Sequence, residues 1–147
     1  MRPRARRKAS AAARPRCVLD AGGLSALCGG SARARAWLRW VVEHDGALTV
    51  PTPVLVEATT GDGARDAEVN RVLGALERAG AVLRAPDEAT ARLAGRLRFR
   101  AKTDDGIDAL VAAAGCGDGS PSIVLTTDPD DLARLLVDAP HVGVRRV

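Results

Sequence analysis

Cys17-Val18-Leu19-Asp20-Ala21-Gly22-Gly23 is the stretch on which the fold turns. Three apolar residues run straight into a carboxylate, and the carboxylate into small residues. A strand with no polar face belongs in the middle of a parallel sheet, covered on both sides. Asp20 then stands at its carboxyl end, where open α/β sheets hold their ligands. Further along, Ser122 to Thr126 is a second near-continuous apolar run, and Leu125-Thr126-Thr127-Asp128 again ends on an acid.

Outward from these two runs, strand and helix patterns alternate. Strands are predicted at Arg16 to Leu19, Ala47 to Val50, Ala81 to Arg84, Ser122 to Thr126 and His141 to Val147. Helices are predicted between them. A short one spans Leu24 to Cys28 and ends at Gly29-Gly30. Ser31 caps the next, which carries Trp37, Leu38, Val41 and Val42. Thr52 caps a third, with Pro53 at its first position, running past Glu57 toward Gly61. Ala64 to Ala79 sets Val69, Val72, Leu73 and Leu76 on one side. Others start at Pro86-Asp87-Glu88, at Thr103-Asp104-Asp105 and at Asp128-Pro129. Strands alternating with helices give an α/β fold, a parallel sheet covered on both faces by right-handed crossovers.

The 147 residues suit one domain, spanning 16–147. Aromatics make up 2%, so the core must be aliphatic. Net charge is +4, which is compatible with an acidic partner such as nucleic acid. Much of that excess sits in an arm, residues 1–15, rich in Ala and Pro and read as disordered. Arg2, Arg4, Arg6, Arg7, Lys8 and Arg14 lie in it, with no acid, and the folded body is slightly acidic. No apolar run follows the paired arginines, and no stretch is long enough to cross a membrane. Cys17, Cys28 and Cys116 are odd in number and without CxxC spacing, which reads as reduced thiols in a cytoplasmic protein. His44 and His141 stand apart from them, against a zinc site.

Four acids ask for an explanation, and Asp105 is a fifth. Asp20 and Asp128 each follow a buried strand, and each has a plainer role as a helix cap. Glu57 is late in a short helix among Val54, Leu55, Val56 and Ala58, opposed by the helix dipole, with no basic residue four positions away. Asp105 and Asp108 are three apart and share a helix face. Asp105 has a plainer role as a cap, but the neighbours of Asp108 draw it toward a partly buried place that wants a counter-charge. Converging carboxylates repel and raise one another's pKa. Such a cluster persists most easily around Mg²⁺ or Mn²⁺, and a carboxylate-held metal can activate water for attack on a phosphodiester.

With those residues in place, the sequence resembles the PIN-domain ribonucleases, and among them the VapC-type toxins of toxin–antitoxin pairs. The resemblance covers about Cys17 to Val147. It rests on Val18-Leu19-Asp20-Ala21, on Val50 through Glu57, on Asp105 through Ala113, and on Val124 through Leu132, in that order. It implies a five-stranded parallel sheet in the order 3-2-1-4-5 between helices, with Asp20 and Asp128 flanking the point where strand order reverses. It also implies Mg²⁺-dependent cleavage of RNA (Mn²⁺ substituting), with Asp20, Glu57, Asp108 and Asp128 as catalytic acids. Asp20, Asp108 and Asp128 would hold the metal, with Asp105 an accessory, and Glu57 would help orient the attacking water. Homodimerisation and a cognate antitoxin are implied too. One departure stands out: the family often has Ser or Thr two residues after the first Asp, where this chain has Gly22. Ser25, Thr126 or Thr127 is then left to supply the hydroxyl, or activity is altered.

Other readings meet the same residues. A PIN-like RNA-binding or regulatory module with weak catalysis is allowed by Gly22 and opposed by the four intact acids. An aspartyl phosphotransferase would want a second Asp at position 22. A phosphate-cradling loop is weak, because Gly22-Gly23 lacks the rest of a GxGxxG or Gly-Lys-Ser/Thr motif. Arg96, Arg98, Arg100 and Lys102 are candidate phosphate contacts, or simply a solvated helix end.

Overall fold

A computed structural model describes residues 14–147. The elements are β1 (Arg16–Leu19), α1 (Ala21–Cys28), α2 (Ala32–Glu43), β2 (Ala47–Pro51), a 3-10 turn (Thr52–Val54), α3 (Leu55–Ala58), α4 (Gly63–Arg78) and β3 (Val82–Arg84). There follow α5 (Glu88–Ala101), α6 (Gly106–Cys116), β4 (Ser122–Thr126), α7 (Pro129–Leu135) and β5 (Val142–Arg146). The sheet is parallel throughout, in the order β3-β2-β1-β4-β5. This is the predicted α/β architecture.

β1 is the central strand. Val18 lies opposite Thr49 on one side and Val124 on the other, and Leu19 opposite Leu125. Helices α1 to α4 pack with one another, and α5 to α7 form a second group. Right-handed crossovers put the first group on one face of the sheet and the second on the other. The core is aliphatic, as the composition requires: Leu19, Leu24, Val50, Val111, Leu125, Leu132 and Leu135 are sealed within it.

Side-chain capping sets most helix starts. Ser31 accepts the Ala34 N–H at 3.1 Å, Asp87 that of Thr90 at 2.8 Å, and Asp62 those of Ala64 and Arg65, each at 3.0 Å. Two starts differ from expectation. α1 begins at Ala21 rather than Leu24, because Asp20 caps it and draws both glycines into the first turn. Thr52 is not a cap: the chain leaves β2 through a 3-10 turn whose preceding residue, Pro51, has no side chain that can cap, and the α-helix starts only at Leu55.

The basic arm, residues 1–15, lies outside the described residues except for Arg14 and Pro15. Pro15 already belongs to the fold, since its carbonyl accepts the Ala47 N–H at 2.8 Å. Arg16 is fixed as well, bonding Ser120 Oγ at 3.0 Å and the Ser120 carbonyl at 3.2 Å. Trp37 is half-buried and Trp40 exposed, meeting edge to face at 5.9 Å. Cys17, Cys28 and Cys116 are free thiols. Among the described residues, no helix is long and apolar enough to cross a membrane.

Candidate active site

Asp20 leaves the end of β1 already in place. Its N–H reaches the Leu125 carbonyl at 3.3 Å, tying the carboxyl ends of β1 and β4 together. One carboxylate oxygen takes the Gly23 N–H at 2.6 Å, so the capping role is real. Gly23 is obligatory here, because a Cβ on it would stand 2.5 Å from the Leu125 carbonyl oxygen. Asp20 is buried, and burial pushes its pKa up. The Thr126 hydroxyl and the N–H groups of Gly23 and Gly22 pull it down, and the charge of Asp128 pushes it up again. A carboxylate held by this many donors at a sheet edge is fixed in direction.

Asp105 caps α6, accepting from Ile107 and Asp108 at 3.0 and 2.9 Å. This delivers Asp108 to the first turn, half-buried. Burial raises the Asp108 carboxyl to about 7, reinforced by the charges of Asp105, Asp20, Glu57 and Asp131. Glu57, exposed at the end of the short α3, is raised too: first by the protein bulk behind it, then by Asp105 and Asp20. Asp20, Glu57, Asp105 and Asp108, spread over nearly ninety residues of chain, therefore face one another at one edge of the sheet.

Asp128 stands on the rim of this group. It caps α7, its carboxylate accepting the Asp130 N–H at 3.3 Å, while its own N–H is held by Thr126 Oγ1 at 3.0 Å. Its charge acts on Asp20. Asp131, which the sequence reading passed over as part of a helix start, adds a fourth charge around Asp108 and pairs with Arg134. The signal was there in its position three residues after Asp128, but nothing in the sequence says which way that helix points.

Gly22 is the departure noted in the sequence, and the structure gives it a physical reason. A Cβ built on Gly22 would lie 2.3 Å from Thr127 Oγ1 and 2.9 Å from the Thr127 backbone nitrogen. The exposed Thr127 side chain already occupies that space. Ser25, by contrast, lies a turn further along α1 and is exposed.

A divalent cation suits this edge in its chemistry. The ligands available are carboxylate oxygens, and a half-buried Asp108 faces four like charges. Among the described residues no three acids form a ready-made cage. Mg²⁺ rarely asks for one, since it keeps several waters and binds through one or two carboxylates. The basic residues before this segment are exposed, and Arg100 is engaged with Asp138 at 2.6 Å.

Fold and site define a three-layer α/β protein with a group of acids at the carboxyl edge of the sheet, where strand order reverses. Among solved structures it is similar to one described as VapBC2 from Rickettsia felis bound to a DNA fragment from their promoter, with a TM-score of 0.69 and 10% identity. The match covers 90% of this chain and 98% of that one. No protein-family model and no curated protein matches this chain.

Proposed function

We propose that this chain is a divalent-cation-dependent endoribonuclease of the PIN-domain kind, the toxin of a toxin–antitoxin pair. The observation that carries the reading is the convergence of Asp20, Glu57, Asp105 and Asp108 on the carboxyl edge of β1, beside Asp128. The similarity to a VapBC2 chain supports the fold-level part of it.

Asp20, Asp108 and Asp128 would hold Mg²⁺, or Mn²⁺ in its place, with Asp105 assisting. The cation, when bound, lowers the pKa of water and stabilises the oxygens of an in-line displacement. The chain's own residues do the rest. Asp20 is locked by Gly23 and Thr126, so its carboxylate needs no reorganisation. Asp108 must be ionised to serve, and a nearby positive charge favours that form. Glu57, exposed at the end of α3, is the acid best placed to orient water and accept its proton. RNA is the substrate, a cognate antitoxin and a second copy of the chain are the protein partners, and the cytoplasm is the place of action.

The test is cleavage of a mixed RNA pool by the purified chain, with Mg²⁺, with Mn²⁺ and with EDTA. Cation-dependent cleavage, slowed about 100-fold by Asp108→Asn, is expected. No cleavage with either cation, or equal cleavage by Asp108→Asn, would sink the enzyme reading. RNA bound but uncut would instead favour the binding module.

A further inference from the structure

The metal reading leaves one position unexplained: two residues beyond Asp20, the first turn of α1 has no side chain at all. We infer that Thr127 supplies the site hydroxyl there, reaching across from the end of β4 into the space that a side chain on Gly22 would otherwise take. This rests on the proposed cation site and adds a positioning residue to it.

Strand register makes the exchange possible. Leu19 and Leu125 are opposite one another in neighbouring parallel strands, so the two chains leave the sheet side by side. Asp20 and Thr126 come next, and the Asp20 N–H is bonded to Leu125. One step further, Thr127 meets the backbone of Gly22, its Oγ1 2.3 Å from the place of a Cβ and its own Cβ 3.3 Å away. No real Cβ tolerates the first distance, so the two positions can hold one side chain between them. The neighbouring hydroxyl is already engaged, since it hydrogen-bonds the Asp20 carboxylate. Thr126 is sealed, only 1% exposed, and its oxygen is bound to the Asp128 N–H at 3.0 Å. Thr127 is exposed, directly before Asp128 and over the turn whose N–H groups hold Asp20. Its hydroxyl thus stands against the first turn of α1, next in sequence to Asp128, where it can hydrogen-bond a cation-bound water or steady a ligand carboxylate. Groups that orient metal ligands in this way commonly change affinity 10–100-fold when removed.

The experiment measures Mn²⁺ binding to the full chain by calorimetry, with thermal unfolding in EDTA as the check on folding. Thr127→Val keeps the shape and removes the hydroxyl; Thr127→Ser keeps the hydroxyl. Thr127→Val is expected to bind Mn²⁺ about tenfold more weakly with unchanged unfolding in EDTA, and Thr127→Ser to stay close to wild type. Equal Mn²⁺ affinity in wild type and Thr127→Val overturns the inference and leaves the cation site standing. Equal weakening in the Val and Ser variants also overturns it, because shape rather than the hydroxyl would then be responsible. A wild-type chain that binds no Mn²⁺ overturns the cation reading, and the inference with it.

Discussion

Asp108 shows how a single side chain can link stability to function. Its folded pKa of about 7 lies above the ordinary 3.8, so the folded chain holds this proton where the unfolded chain has lost it. Stability from this group is full below about pH 4, and is lost as pH rises through the window to about 7. In EDTA, therefore, urea unfolding should show wild type losing stability relative to Asp108→Asn as pH rises from about 4 to about 7. A difference that stays flat across that range would contradict the burial described here. Gly22 gives a second prediction. Helix propensity alone would favour Gly22→Ala by about 0.5–1 kcal/mol. Overlap with the Thr127 backbone nitrogen, which cannot rotate away, costs about 1–3 kcal/mol. The variant should be net destabilised, read as a lower urea midpoint. The partial burial of Asp108 was legible in Ile107, Ala109, Leu110 and Val111 around it. The partner of Gly22 was not, because it lies more than a hundred residues away in sequence.

At the scale of elements, the strand ends and helix caps hold the site together. Asp20, Asp105 and Asp128 each cap a helix and each turn toward the same edge, so the plain role and the functional one coexist. The sequence alone framed these as alternatives, since a capping signature says nothing about where the remaining carboxylate oxygen points. Asp105→Asn separates the two roles. Asparagine caps as well as aspartate, so α6 should start unchanged. With that charge gone, the Asp108 carboxyl should titrate lower, as NMR of the side-chain carboxyl would show. An unmoved Asp108 would mean that Asp105 lies too far away to matter. As a reference, Asp62→Ala removes the cap of α4, remote from the acids, and should cost about 1 kcal/mol with no change in cation affinity. The 3-10 turn after β2 escaped the sequence reading because Thr-Pro is the signature of a capped helix start. Sheet geometry, with Pro51 at the strand's end, decided otherwise.

For the whole molecule, the fold was legible because buried parallel strands and amphipathic helices have different periods, and the chain alternates between them cleanly. Which residues meet at the carboxyl edge depends on strand order, and that required the resemblance; Asp131, and the choice of Thr127 among the three candidate hydroxyls, emerged only in three dimensions. The proposed cation should act on the entire fold. Binding only the native state at 100 times its dissociation constant, it would add about 2.7 kcal/mol at neutral pH. Thermal unfolding with and without Mg²⁺ reads this directly, and Asp108→Asn should show a smaller rise. The shared space at Gly22 and Thr127 also bears on descent. Two positions far apart in the gene occupy one volume, so they cannot drift independently. A lineage that places a side chain at 22 must first accept a smaller residue at 127, together with a slight retreat of its backbone. Intermediates in the opposite order would fold poorly and be lost. Substitutions at these two sites should therefore arrive as an ordered pair.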